Sequence, residues 1–216
     1  DGEKIVLGHK IPAGLGKGDL DRLIQIVAHH PATAMHLATK LCRRFIADHP
    51  PLPVVSAVAA TFLETGGDIR KVLITLFNHE SFWATRGGLV KRPLHFVVSA
   101  LRACGAETNA GPALQDYLLR MGHAPFQYPT PDGYPQEPEP WMATLLWRWR
   151  FASEFAANGI KGTSIEMKTL VSVAGGKREL AAHLLGRTPT DAEVTAALES
   201  GAPLALILAS PAFQLC

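Results

Sequence analysis

The chain has 216 residues, of which 47% are hydrophobic and 19% charged, with a formal net charge of +2. This composition excludes a disordered chain and is enough to bury a full core in one large domain or two small ones. So small a charge, with a pI near 8.5, is too mild to support nucleic-acid binding, which needs a concentrated basic face, while a mean hydropathy of +0.11 implies that some apolar surface meets another segment or chain.

No apolar run approaches the roughly 18–20 residues that cross a bilayer, so no membrane span is predicted. The first residues, Asp1-Gly2-Glu3-Lys4, resemble neither a signal peptide nor a translation start, and the chain reads as part of a longer protein. Cys42, Cys104 and Cys216 lie far apart without a C-x-x-C pair, which indicates neither a disulfide framework nor a cysteine zinc site. Cys42 and Cys104 read as small core residues and Cys216 as an exposed terminal thiol.

In chain order, Lys4-Ile5-Val6-Leu7 predicts one short strand and Gly14-Leu15-Gly16-Lys17-Gly18 a flexible turn. Leu20, Leu23, Ile24 and Val27 then recur at helical spacing until His30-Pro31 forces a break and opens a second helix. In that helix Ala34, Ala38, Leu41, Cys42 and Phe45 form an apolar stripe, with His36, Lys40, Arg43 and Arg44 on other faces. Val54 to Leu63 predicts a third helix closed by Gly66-Gly67, and Asp68 is the expected N-cap of a fourth carrying Ile69, Val72, Leu73, Leu76 and Phe77. Further helices are expected from Pro93 to Ala103, from Pro112 to Met121, and from Trp141 to Asn158 with Gly159 as C-cap. Thr190 and Glu193 have capping-box spacing before another.

The segment Leu73–Phe82 aligns without gaps on Leu204–Phe213. Either a helix-turn unit is used twice, or two helices end alike with an aromatic ring folding back on the core. The expected fold is all-α, an irregular multi-helix bundle of about nine helices with a short N-terminal strand and a long Pro/aromatic loop. It is laid out as one globular unit: an N-terminal strand and Gly-rich segment (1–19), a helical region (20–122), the loop (123–140) and a C-terminal helical region (141–216).

Three groups of residues are candidate sites. His29, His30 and His36 invite a metal reading, but six residues rotate a helix by about 600°, which leaves His30 and His36 about 120° apart, unlike an i, i+4 metal pair. A histidine before a helix-opening proline caps exposed amides instead, and no metal or cofactor is predicted. Lys40, Arg43 and Arg44 either grip an anion on a polymer or form a solvated face. In the loop from His123 to Pro140, Tyr128 and Tyr134, with Trp141 beyond it, offer faces for sugar rings or proline-rich peptides, and Asp132, Glu137 and Glu139 offer acceptors. Paired carboxylates hydrolyse glycosidic bonds at the right separation, although Asp132 in Pro-Asp-Gly is first a turn residue. In Trp147-Arg148-Trp149-Arg150, Trp149 and Leu145 are expected to face the core and one arginine to pair with a carboxylate.

Several motifs carry a resemblance: Gly2-Glu3-Lys4-Ile5-Val6-Leu7-Gly8, His30-Pro31-Ala32-Thr33-Ala34 leading to Lys40-Leu41-Cys42-Arg43-Arg44-Phe45, Gly67-Asp68-Ile69-Arg70-Lys71-Val72-Leu73 with Ser81-Phe82, and Pro129-Thr130-Pro131-Asp132-Gly133-Tyr134 before Trp141. In this order and over nearly the whole chain they resemble the bacterial family called "domain of unknown function 1800". Ser210-Pro211-Ala212-Phe213 resembles its closing motif, while Tyr134 stands where tryptophan is expected and His79-Glu80 where a serine-proline-like pair is expected.

The resemblance implies a protein about twice as long, of which this is the carboxy-terminal half, often exported to the periplasm or beyond, with no catalytic residues to carry over. The expected function is a non-catalytic helical module packing on the amino-terminal half, its aromatic loop contacting a polysaccharide or protein. The alternative is part of an extracellular polysaccharide hydrolase to which Asp132, His30 and Arg44 contribute.

Overall fold

The computed structural model describes residues 2–216; Asp1, the first residue of the expected N-terminal segment, lies outside them. These residues form two compact units, the first ending at Gly88 and the second running from Leu89 to Cys216, so the division falls inside the region read from sequence as one helical stretch, 20–122. The described residues hold thirteen helices and two short strand pairs, more of each than the nine helices and single strand expected.

In the first unit β1 (Lys4–Val6) pairs antiparallel with β2 (His9–Ile11), Ile5 opposite Lys10. The two-residue turn between them places Leu7 and Gly8 at φ 50° and 82°. Turns with both central residues at positive φ match the twist of a hairpin, so Leu7, read from sequence as a strand residue, is the first turn residue instead, a position that leucine does not announce. Five helices follow: α1 (Gly18–Ala28), α2 (Pro31–Phe45), α3 (Leu52–Glu64), α4 (Ile69–Asn78) and α5 (Glu80–Ala84). Helix α3 packs against both α2 and α4. Their shared core holds Ala34, Ala38 and Cys42 from α2, Val54, Val58 and Phe62 from α3, and Val72 and Leu76 from α4. As expected, Gly66 and Gly67 end α3 at positive φ, and Asp68 caps α4 by accepting the Lys71 N–H at 3.2 Å.

The second unit contains α6 (Pro93–Ala103), β3 (Glu107–Thr108), α7 (Pro112–Arg120), α8 (Glu139–Met142), α9 (Leu145–Ala156), β4 (Thr163–Ser164), α10 (Met167–Ala174), α11 (Lys177–Leu185), α12 (Asp191–Glu199) and α13 (Pro203–Ala209), closing on a 3-10 turn at Pro211–Gln214. Strands β3 and β4 pair antiparallel, and α13 packs on α9. The core is built on Phe96, Phe151, Phe155, Leu118, Leu180, Leu208 and Phe213. The ends of the unit are tied together, because the Lys91 N–H donates to Gln214 O at 2.7 Å and the Cys216 N–H to Leu89 O at 2.9 Å.

Four corrections follow from local chemistry. Helices α10 and α11 were missed because each is short and they are separated by Gly175-Gly176, both at positive φ. The helix expected from Trp141 to Asn158 is two, α8 and α9. It also ends earlier: Asn158, not Gly159, takes the left-handed conformation, at φ 58°, and its amide clamps both the N–H (2.7 Å) and the carbonyl (3.1 Å) of Ile165. Finally, the buried stripe of α9 is Arg148, Phe151, Ala152 and Phe155, so Trp149 is exposed and Leu145 only half-buried.

The aligned segments share their local structure. His79 and Ser210 are each a single extended residue, with φ −73° and −65°, that ends one helix and caps the next turn. His79 Nδ1 accepts the Ser81 N–H at 3.2 Å and Ser210 Oγ the Phe213 N–H at 3.3 Å. In both, the aromatic ring that follows packs back on the unit's own aromatics, Phe82 on Phe77 at 5.1 Å and Phe213 on Phe96 at 5.9 Å. The imidazole at position 79 thus does the work of the serine hydroxyl.

Cys42 and Cys104 are buried, and burial pushes their thiols up to about 11 and about 12. A thiol reagent at neutral pH is therefore expected to modify only Cys216 in the native chain and all three cysteines in denaturant, counted by mass spectrometry.

Candidate binding site

The loop from His123 to Pro140 is ordered by its own rings. Helix α7 ends at Met121-Gly122, and the turn delivers His123 into the interior, 6% exposed. There its Nδ1 accepts the N–H of Leu94, an unsatisfied amide in the first turn of α6, at 3.3 Å. Trp141 stacks on this imidazole at 5.1 Å with the planes 23° apart. Tyr134 leans on its other neighbours, 4.4 Å from His123 and 4.6 Å from Tyr128, and its hydroxyl donates to Ala124 O at 2.6 Å. Burial, followed by the nearby Arg92, His95 and Arg148, lowers the His123 pKa to about 4. The ring is therefore neutral at physiological pH, as an acceptor of the Leu94 N–H must be.

This packing changes the role of the aromatics. Trp141 is buried and Tyr134 half-buried, so their rings hold the loop; Tyr128 is at the edge of exposure. Asp132 is exposed and accepts the Thr130 hydroxyl within a turn closed by the Gly133 N–H on Thr130 O. That is the geometry of a turn residue.

The remaining predicted residues belong to the first unit. His30 caps α2, its Nδ1 accepting the Ala32 N–H at 3.1 Å, as a histidine before proline was expected to do. Arg43 and Arg44 are exposed in the last turn of the same helix. At 1.5 Å per residue they lie about 20 Å from His30 along the axis, so His30 and Arg44 do not form one site. No cluster of three or more His, Cys, Asp or Glu able to hold a metal occurs among the described residues, and no helix among them is long and apolar enough to cross a membrane.

Sequence reasoning missed two positions. Arg148 is 1% exposed and is held by neutral groups: Nη1 donates to Gln214 Oε1 at 2.7 Å, Nε reaches Thr144 Oγ1 at 3.4 Å, and the guanidinium lies 5.3 Å from the Phe96 ring. Arg150 stacks on Trp147 instead, 5.0 Å from its centroid. The second is Phe126, which is fully exposed at φ 62°. It stands on the rim of an open groove of about 600 Å³ between α6 and α7, lined by Leu94, Val98, Leu101, Leu119 and Pro125. A loop phenylalanine gives no sequence signal of which way it points.

The sequence matches the family described as "protein of unknown function (DUF1800)" over residues 1–215. The chain belongs to that family. The match places both units and the aromatic loop of this DUF1800 chain inside one family pattern. It matches no curated protein and no solved structure.

Proposed function

We propose that this DUF1800 chain is a non-catalytic recognition module, in which Phe126 and the groove between α6 and α7 take an apolar segment of a protein partner. The observation behind this reading is Phe126. A bulky residue at positive φ costs about 1–2 kcal/mol, and a fully exposed ring adds apolar surface that water disfavours. Both costs are offset when a partner buries the ring.

The lining favours polypeptide over sugar. Apolar side chains such as Leu94, Val98, Leu101 and Leu119, which desolvate aliphatic groups, outnumber the polar Gln115, Asp116 and Gln127 along the groove, whereas a saccharide site relies on convergent polar groups. The aromatic stack of His123, Tyr134 and Trp141 supports the segment that presents Phe126.

Selection from a displayed library of random peptides is expected to enrich sequences with regularly spaced apolar residues. Phe126→Gly is expected to weaken the selected peptides by about tenfold or more while raising the stability of the unit by about 0.5–1 kcal/mol, read by urea denaturation. Selected peptides that bind the variant as tightly as the wild type would overturn the proposal, as would a polysaccharide that raises the melting temperature in a Tyr134-dependent way.

A further inference from the structure

We propose that the outward face of α2 binds an anionic polysaccharide. The face is built by helical phase. His36, Lys40, Arg43 and Arg44 span about 100° of the helix circumference, opposite the buried Ala34, Ala38 and Cys42, and extend about 12 Å along the axis. All four are exposed. Helix α2 itself carries no acidic residue. The helix dipole accounts for the cations in the last turn, but not for Lys40 one turn before them.

Charge complementarity makes the ligand an anion, and the geometry makes it a linear one. A single carboxylate or sulfate on this convex surface meets two side chains at most, whereas a chain laid along the axis meets all four. The axial steps from His36 to Lys40 and from Lys40 to the adjacent Arg43 and Arg44, about 6 and 4.5 Å, are close to the length of one pyranose residue, so a chain with a sulfate or carboxylate on successive sugars meets three levels of the row in register, the two arginines sharing the last. Arg43 and Arg44 supply planar forks for either anion.

Nucleic acid fits less well, since the row holds no phenylalanine, tyrosine or tryptophan on which successive bases could stack. Protein interfaces set apolar anchors among their charges, and this face has none.

Retention on heparin-agarose at low salt tests the assignment, with polygalacturonate and double-stranded DNA as competing ligands. The wild type is expected to be retained and to be displaced by polygalacturonate. The variant Lys40→Glu/Arg43→Glu/Arg44→Glu is expected to bind about tenfold more weakly or not at all. A control with the same change of net charge in the second unit, Lys161→Glu/Lys168→Glu/Lys177→Glu, is expected to bind like the wild type, and circular dichroism verifies that both variants are folded. Retention of the α2 variant, equal losses in both variants, or tighter binding of DNA than of either glycan would overturn it.

Discussion

Replacing Arg148 with alanine is expected to destabilise the second unit by about 2–4 kcal/mol. The side chain fills the interior between α9 and the closing 3-10 turn, and it holds Gln214, which in turn donates to Leu208 O at 2.9 Å and whose own carbonyl accepts from Lys91. Truncation leaves a cavity beside Phe96 and strips the Gln214 Oε1 of its donor. Burial lowers the guanidinium pKa to about 10, so the arginine stays charged at neutral pH, with Nη2 lacking any hydrogen-bond partner. That cost means the charge itself contributes little. Arg148→Met, which keeps the volume and removes the charge, is therefore expected to lose only about 1–2 kcal/mol. Urea denaturation of both variants checks this. A small loss for alanine with a large one for methionine would show that shape is not what Arg148 supplies.

His123 should make the second unit acid-sensitive. Its pKa falls from 6.5 to about 4 in the folded chain, so between these values the unfolded state binds the proton more readily. Stability is then complete above about pH 6.5 and is lost as the pH falls toward 4, by about 3 kcal/mol from this one group. The proton also removes the acceptor for Leu94 and places a cation at the start of α6, beside Arg92. His123→Asn keeps an acceptor of similar reach and cannot titrate in this range. The difference between the pH–stability curves of the two proteins isolates the histidine from the carboxylates, such as Glu193, whose own pKa is lowered to about 2 mainly by its bond to Arg187. Parallel curves would mean that His123 is not held neutral inside the fold.

Most of the helical skeleton was legible because its punctuation is chemical. Pro31, Pro93 and Pro112 open helices, Asp68 and the Thr190–Glu193 capping box start others, and Gly66-Gly67 stop one, each through a backbone restriction or a single hydrogen bond readable from residue type. The missed elements lack that punctuation or use it unusually. His79 caps α5 with a ring nitrogen in place of a hydroxyl, and Gly175-Gly176 divide two helices too short to show a period.

The phase of α9 was misjudged at Trp147-Arg148-Trp149-Arg150, because residue type assigns arginine to the surface and tryptophan to the core. The long-range partners Gln214 and Phe96 reverse that assignment. The candidate site followed the same pattern. Order in the aromatic loop could be read from its rings, whereas their mutual burial and the exposure of Phe126 depend on His123 reaching the start of α6, a contact between residues 29 apart in sequence.

Methyl NMR of the chain, titrated with a peptide selected from the random library, tests the recognition reading most directly. The account predicts that the largest shifts fall on Leu94, Val98, Leu101 and Leu119, and that Phe126→Gly abolishes them. Shifts centred instead on Leu185 and Leu206, which line a separate apolar depression with Trp149, or shifts unchanged by Phe126→Gly, would contradict it.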